Sequence, residues 1–60
     1  MPVVIVEMWE GRTVGQKKQL VEGITSTFVK VGIPAEALHI IMKDNPKHNW
    51  ATAGKLASAE

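Results

Sequence analysis

The apolar residues fall into three groups along the chain, and the spacing within each group predicts an element. Residues 3–8 are mostly β-branched and nearly all apolar, which predicts a strand buried on both faces. Residues 38–42 form a second apolar strand. Between the two strands, apolar residues recur with the three- and four-residue spacing of an amphipathic helix. The members of this helical stripe are Leu20, Val21, Ile24, Phe28 and Val31.

Turn-forming and polar residues mark where these elements begin and end. Residues 10–12 are predicted to turn the chain after the first strand. Thr13 and Gln16 have the spacing of a capping box, in which each side chain bonds the other residue's backbone N–H at the start of a helix. Gly32 is suited to the left-handed position that follows a helix, and Pro34 prevents the helix from continuing.

One strand, one helix and a second strand make a β-α-β unit. The helix is about 18 residues and roughly 27 Å long, so it can return the chain to the start of a first strand of roughly 23 Å. A right-handed crossover then places the second strand parallel to the first. Residues 44–46 are expected to break that strand, and residues 47–60 to be irregular, with a short hairpin around Trp50 and a turn at Gly54. The predicted fold class is therefore α+β: a single domain over residues 1–60, built as a β-α-β protomer with a short C-terminal hairpin and assembled into an oligomer.

The length of the chain limits how this fold can be stabilised. A chain of 60 residues and 6.6 kDa buries about 5,700 of the roughly 9,600 Å² that it exposes when unfolded, which is marginal against the entropy of ordering it. There is no cysteine for a disulfide, and His39 and His48 lack the spacing and the third ligand of a metal site. One helix also covers only one face of a two-stranded sheet. The sequence therefore predicts that further copies of the chain cover the other face.

Charge and hydropathy exclude several classes of partner. Seven Lys and Arg residues stand against six Asp and Glu residues, which gives a formal charge of +1 and no basic surface for nucleic acid. The longest wholly apolar run, residues 2–6, is far too short to cross a bilayer. No charged segment precedes an apolar stretch as long as that of a secretory signal, so no signal peptide is predicted. Together with the lack of cysteine, this favours a cytoplasmic protein.

Pro2 is the first residue with distinctive chemistry. Aminopeptidases remove the start methionine when a small residue follows, which would leave this proline with a free secondary amine at the amino terminus. At the start of an apolar strand the charged form of the amine is disfavoured, and a nearby arginine acts in the same direction, so its pKa is expected to fall toward neutrality. Such an amine is suited to general base catalysis at pH 7. The alternative is that Pro2 merely follows the start methionine and has no chemical role.

Arg12 is the second candidate, at the end of the turn after the first strand. The strand accounts for about 20 Å of the separation between Arg12 and Pro2, so the two cannot easily meet within one chain. If two first strands pair antiparallel across a dimer axis, Arg12 of each chain approaches Pro2 of the other, and the site is shared. The guanidinium is suited to bidentate carboxylate binding. The alternative is a solvated arginine in a turn.

His39 and the two tryptophans complete the candidates. The starts of two parallel strands are neighbours, so His39 is predicted to lie near Pro2, where it could bind substrate or influence the charge of the amine. The alternative is a partly buried strand histidine. Trp50, in a loop after the core, is predicted to line a pocket or an interface, and Trp9 is a further candidate for either role.

These residues together resemble the 4-oxalocrotonate tautomerase family. The resemblance covers nearly the whole chain and depends most on Pro2 followed by Glu-Gly-Arg at residues 10–12. It extends over residues 8–13, 15–17, Pro34, Trp50 and residues 53–58. Members of this family form β-α-β protomers, commonly assembled as homohexamers that are trimers of dimers.

The resemblance implies a cofactor-independent keto–enol tautomerase that acts on a small 2-hydroxydienoate or enol carboxylate. In the family, the amino-terminal proline is general base and then general acid, the arginine that matches Arg12 reaches across from a neighbouring subunit to hold a substrate carboxylate, and the aromatic residue that matches Trp50 lines the pocket. The best-known members carry a second arginine where this chain has His39. A smaller or monocarboxylic enol therefore fits as well as 4-oxalocrotonate, and Trp50, larger than the usual aromatic residue, indicates a reshaped pocket.

Two other functions stay open on the sequence. Relatives with this scaffold hydrate or dehalogenate haloacrylates or decarboxylate small unsaturated acids, reactions that generally need a residue that activates water. Glu7 lies on the first strand but has no evident place in a pocket. The second alternative is a non-catalytic oligomeric binding protein that keeps only the fold, which the missing second arginine favours.

Overall fold

The computed structural model describes residues 2–59 and has the element order that the sequence predicts. A long strand, a helix and a second long strand are followed by a short hairpin, with single 3-10 turns in two of the connections and after the last strand. The strands and the helix are β1 (Val3–Trp9), α1 (Val14–Lys30), β2 (His39–Asn45), β3 (Ala51–Thr52) and β4 (Lys55–Leu56). The 3-10 turns are Ala35–Ala37, Lys47–Asn49 and Ala57–Ala59.

Strands β1 and β2 pair in parallel, which confirms the β-α-β unit. Their register runs from Val3 opposite His39 to Trp9 opposite Asn45. The predicted end of the second strand is wrong, because β2 continues through Asp44 and Asn45. These two residues are poor strand formers, but the ladder with β1 holds them extended. The ladder even continues past the strand, with the backbone N–H of Glu10 donating to the Asn45 carbonyl at 3.0 Å.

Helix α1 begins and ends where local side-chain chemistry predicts. The Gln16 backbone N–H donates to Thr13 Oγ1 at 3.1 Å, and the Thr13 N–H donates to Gln16 Oε1 at 3.0 Å, so the capping box is formed. At the other end, Gly32 has φ 101°. The N–H groups of Gly32 and of the residue after it donate to carbonyls in the last turn at 3.0 and 3.1 Å, which is a Schellman motif.

The C-terminal hairpin is also confirmed. Strands β3 and β4 pair antiparallel, with Ala51 opposite Leu56 and Thr52 opposite Lys55. Ala53 and Gly54 connect them with φ 55° and 78°. Positive φ at both central residues is the geometry of a type I′ turn, which suits a two-residue hairpin.

The protomer has almost no interior of its own. Among the side chains of residues 2–59, Met8 alone is buried, at 8% exposure. Along β1, half-buried and exposed side chains alternate, so a single chain covers only one face of this strand, and burial of the other face by further copies stays a prediction. In the helical stripe, Val21, Ile24 and Phe28 are half-buried, whereas Leu20 and Val31 are exposed, contrary to their predicted place in the stripe. A single two-stranded sheet is too narrow to cover the whole stripe.

One face of the sheet is left open, and it is apolar. Val3 and Ile5 are 53% and 55% exposed, and Ile41, which lies opposite Ile5 in the register, is 46% exposed. The chain is also elongated, with a radius of gyration of 14.5 Å where a compact chain of this length has about 10 Å. The accessible surface of the chain is 4,684 Å², compared with roughly 3,900 Å² for a folded monomer of this mass. The difference is about the area that one partner buries in a standard protein–protein interface. No helix within the described residues is long and apolar enough to cross a membrane.

Candidate active site

Pro2 and His39 lie together at the amino ends of the two parallel strands. The His39 backbone N–H donates to the Pro2 carbonyl at 3.2 Å, and His39 is paired with Val3 in the register. Pro2 is half-buried and His39 is exposed. The expected proximity of these two residues is therefore confirmed. The predicted removal of Met1 concerns a residue that lies outside the described residues 2–59.

Arg12 lies at the opposite end of the sheet from Pro2. The seven residues of β1 separate them by about 23 Å of strand. The turn that carries Arg12 is closed by Gly11, whose φ of 116° is outside the range that residues with a Cβ atom readily adopt. Arg12 is exposed, and no acidic residue between positions 2 and 59 forms an ion pair with it. A single protomer therefore presents this cation to solvent and not to its own Pro2.

An ion pair anchors the helix that follows Arg12 to the sheet. Lys17 Nζ lies 2.7 Å from Asp44 Oδ2, and so connects the first turn of α1 to the end of β2. The capping box at Thr13 fixes the chain immediately after Arg12. The backbone of Arg12 is thus held on both sides, by the Glu10 bond to β2 before it and by the helix start after it.

Two tryptophans and a lysine meet at the same end of the sheet as Arg12. The Trp9 and Trp50 rings are edge to face, with centroids 5.9 Å apart and an interplanar angle of 76°. Lys47 Nζ lies 4.9 Å from the centroid of the Trp9 ring. The Trp50 backbone N–H donates to the Lys47 carbonyl at 3.2 Å, and its carbonyl accepts from Ala57 at 2.7 Å. We call Trp9, Lys47 and Trp50 the aromatic cluster.

Sequence reasoning did not single out Lys47 or Asn45. Asn45 Nδ2 donates to Glu7 Oε1 at 2.9 Å and to the carbonyls of Met8 and Lys43 at 3.3 Å, so it joins the two strands at their carboxyl ends. The Glu7 carboxylate is thus engaged by an amide. Neither Lys47 nor Asn45 belongs to a hydrophobic repeat or a sequence motif. The register of β1 against β2 brings each of them close to its partners.

The candidate residues therefore lie in two groups at opposite ends of the sheet. We call Pro2 and His39 the amino-end half-site, and Arg12 with the aromatic cluster the carboxyl-end half-site. Residues 2–59 enclose no pocket between them. The described residues also contain no group of three His, Cys, Asp or Glu side chains placed to hold a metal ion.

Comparison with known proteins gives a consistent result. The family model described as "Tautomerase enzyme" matches residues 2–60. A probable tautomerase of Lactococcus lactis subsp. lactis is 46% identical over 57 residues, which cover 93% of this chain and 93% of the relative. A 2-hydroxymuconate tautomerase of Comamonas testosteroni is 40% identical over 55 residues, 90% of this chain and 87% of the relative. A structure from a study of 4-oxalocrotonate tautomerase isozymes of Methylibium petroleiphilum superposes with a TM-score of 0.90 at 36% identity, covering 97% of this chain and 95% of that one.

Proposed function

The chain belongs to the tautomerase family, as its sequence resemblance predicted, and from this premise we propose that it catalyses keto–enol tautomerisation of a small enol carboxylate without a cofactor. Pro2 carries the proton in this proposal. The observation that supports it best is the division of the candidate residues between the two ends of one parallel strand pair. A base at one end and a cation at the other make a complete site only when two chains meet.

The proton transfer needs one group that first accepts and then donates. After removal of Met1, the Pro2 amine takes the proton from the enol hydroxyl. The oxygen then forms the carbonyl, the double bond shifts, and the protonated amine returns the proton to the carbon at the end of the conjugated system. Pro2 is half-buried at the start of an apolar strand, and this setting disfavours the charged amine and suits it to act as base at neutral pH.

A second chain completes the site. Strand β1 pairs with β2 on one edge, and in the described protomer its other edge carries no partner. Antiparallel pairing of two β1 strands along this edge would bring Arg12 of the partner subunit to the Pro2 end of the first chain. Arg12 would then bind the substrate carboxylate and stabilise the dienolate charge that develops. The open apolar face around Ile5 and Ile41 supports further association, and we propose a homohexamer built as a trimer of dimers.

The remaining residues orient the substrate and exclude water. His39, bonded through its backbone to Pro2, is placed to donate a hydrogen bond to the substrate beside the amine. Trp50 and Trp9 present apolar rings next to the turn that carries Arg12. When two chains pair, these rings would wall the pocket and lower its dielectric, which strengthens the Arg12–carboxylate interaction.

Replacement of the proline tests this function directly. Pro2→Ala should lower kcat for ketonisation of 2-hydroxymuconate or phenylenolpyruvate by about 10²- to 10⁴-fold. The substitution replaces the secondary amine of the proline ring with a primary amine that is less rigidly positioned. Pro34→Ala, at the exposed cap of a 3-10 turn, is the matched control and should keep nearly full activity. Intact mass confirms the loss of Met1 in each protein. Undiminished turnover by Pro2→Ala, or a wild-type chain that retains Met1 and is active, would refute the role of Pro2.

A further inference from the structure

We propose that Lys47 binds a second carboxylate of the substrate and so gives the enzyme a preference for dianionic over monoanionic enols. This inference rests on the proposed tautomerase function and deepens it. It concerns the one cation of the aromatic cluster, which the sequence patterns did not point to.

The ammonium of Lys47 is held in a defined position. Its Nζ lies over the Trp9 ring at 4.9 Å, and the Trp9 ring packs edge to face on Trp50. The backbone carbonyl of Lys47 accepts the N–H of Trp50 at 3.2 Å. Backbone and side chain of Lys47 are thus both attached to the aromatic pair. A lysine restrained in this way loses less conformational entropy when it binds an anion than a free surface lysine does.

The charge of Lys47 is available to a ligand. Within residues 2–59, Lys17 forms an ion pair with Asp44, whereas Lys47 has no acidic partner. A ring face attracts the ammonium electrostatically but accepts none of its three N–H groups in the manner of an oxygen. The N–H groups that point away from the Trp9 ring are therefore free to donate to a carboxylate.

Lys47 and Arg12 emerge from the same end of the sheet. Trp9 and Asn45 are opposite each other in the register, Arg12 follows Trp9 by three residues, and Lys47 follows Asn45 by two. Adjacent strands are about 4.8 Å apart, so the two cations leave the sheet on neighbouring segments of the chain. Two cations beside one apolar wall match a short conjugated acid that carries a carboxylate at each end.

This placement offers an answer to the missing second arginine. His39 occupies the position at which the best-known members of the family carry their second arginine. It lies with Pro2 at the amino ends of the two strands. Lys47 offers an ammonium group from the carboxyl end instead. The carboxyl-end half-site would then hold both acidic groups of the substrate, while the amino-end half-site supplies the proton carrier.

The test compares two substrates in the assembled wild-type and variant enzymes. Lys47→Gln should raise KM for the dicarboxylate 2-hydroxymuconate by about tenfold, the usual effect of losing one charge-assisted hydrogen bond. Its kcat/KM for the monocarboxylate phenylenolpyruvate should change less than about twofold by the same reasoning. Lys47→Arg should restore most of the dicarboxylate KM. Lys55→Gln, at an exposed position of β4, is the matched control and should leave both substrates unaffected.

Two results of this comparison would contradict the proposed role of Lys47. An equal loss on both substrates would show that Lys47 only supports the aromatic cluster, and a parallel change in tryptophan fluorescence would accompany that result. No loss on either substrate would show that Lys47 does not touch the substrate. Both results overturn the inference while leaving the tautomerase function standing. A wild-type enzyme that converts neither substrate would overturn the proposed function and this inference with it.

Discussion

Pro2 and Arg12 lie at opposite ends of the same strand, with the seven residues of β1 between them. A separation of about 23 Å along a strand cannot be closed by rotation of side chains. Any chemistry that uses both residues must therefore take them from two chains. In the proposed mechanism, assembly is therefore a condition of activity.

Subunit mixing should restore activity to two inactive variants. Pro2→Ala lacks the proposed base and Arg12→Ala lacks the proposed carboxylate-binding cation, so each variant alone should have little activity. In a mixed pair, one site receives Pro2 from one chain and Arg12 from the other, while the second site receives neither. Random reassociation of equal amounts should therefore recover roughly a quarter of wild-type activity for sites shared across a two-fold axis.

The measurement is turnover before and after the two variants are unfolded together and refolded. Each variant refolded alone is the control, because every site in it carries the same substitution. If the mixture stays as inactive as its components, then Pro2 and Arg12 do not act in the same shared site.

Replacement of Gly11 should disturb the site through the backbone alone. Its φ of 116° is unfavourable for any residue with a Cβ atom, yet an added Cβ would meet no atom within 4 Å. Gly11→Ala should thus cost about 1–2 kcal/mol of stability and lower kcat/KM by up to about 100-fold, because Arg12 follows directly and would be displaced.

Gly23→Ala provides the matched comparison. Gly23 lies within α1, and an added Cβ there also meets nothing within 4 Å. Alanine should stabilise the helix by about 0.5–1 kcal/mol and leave turnover unchanged. Urea unfolding at equal protein concentration measures both stabilities, because the stability of an oligomer depends on concentration. Equal effects of the two substitutions would contradict the importance of the left-handed turn before Arg12.

A charge on the open face of the sheet should break the assembly. Ile41 is 46% exposed and lies opposite Ile5, near the middle of the apolar face. If other copies cover this face, Ile41→Asp places an unpaired carboxylate in an apolar interface, which is strongly unfavourable. Sedimentation should show dissociation to smaller species, and turnover should fall with it.

Lys18→Asp is the control for this prediction. Lys18 is an exposed residue of α1, so the same side chain there should leave the oligomer intact. An Ile41→Asp protein that sediments like the wild type would mean that the open face does not take part in assembly.

Local chemistry made much of the fold predictable. Thr13 and Gln16 cap the helix through bonds between residues three apart, and Gly32 ends it through its own φ, so neither feature requires the rest of the chain. The parallel strand pair follows from a helix long enough to return the chain. The proximity of His39 to Pro2, and the separation of both from Arg12, follow in turn from that topology.

Contacts between distant segments could not be predicted in this way. Strand β2 extends to Asn45 against its own sequence because β1 supplies the ladder, and Leu20 is exposed because the sheet is too narrow to cover it. Lys47 meets Trp9 only when the register sets the end of β1 beside the turn after β2. The elements, their order and the candidate residues could be inferred from the chain alone, since these depend on neighbours a few positions away. Which of those residues share an end of the sheet depends on the folded chain, because the pairing of two strands joins residues more than thirty positions apart.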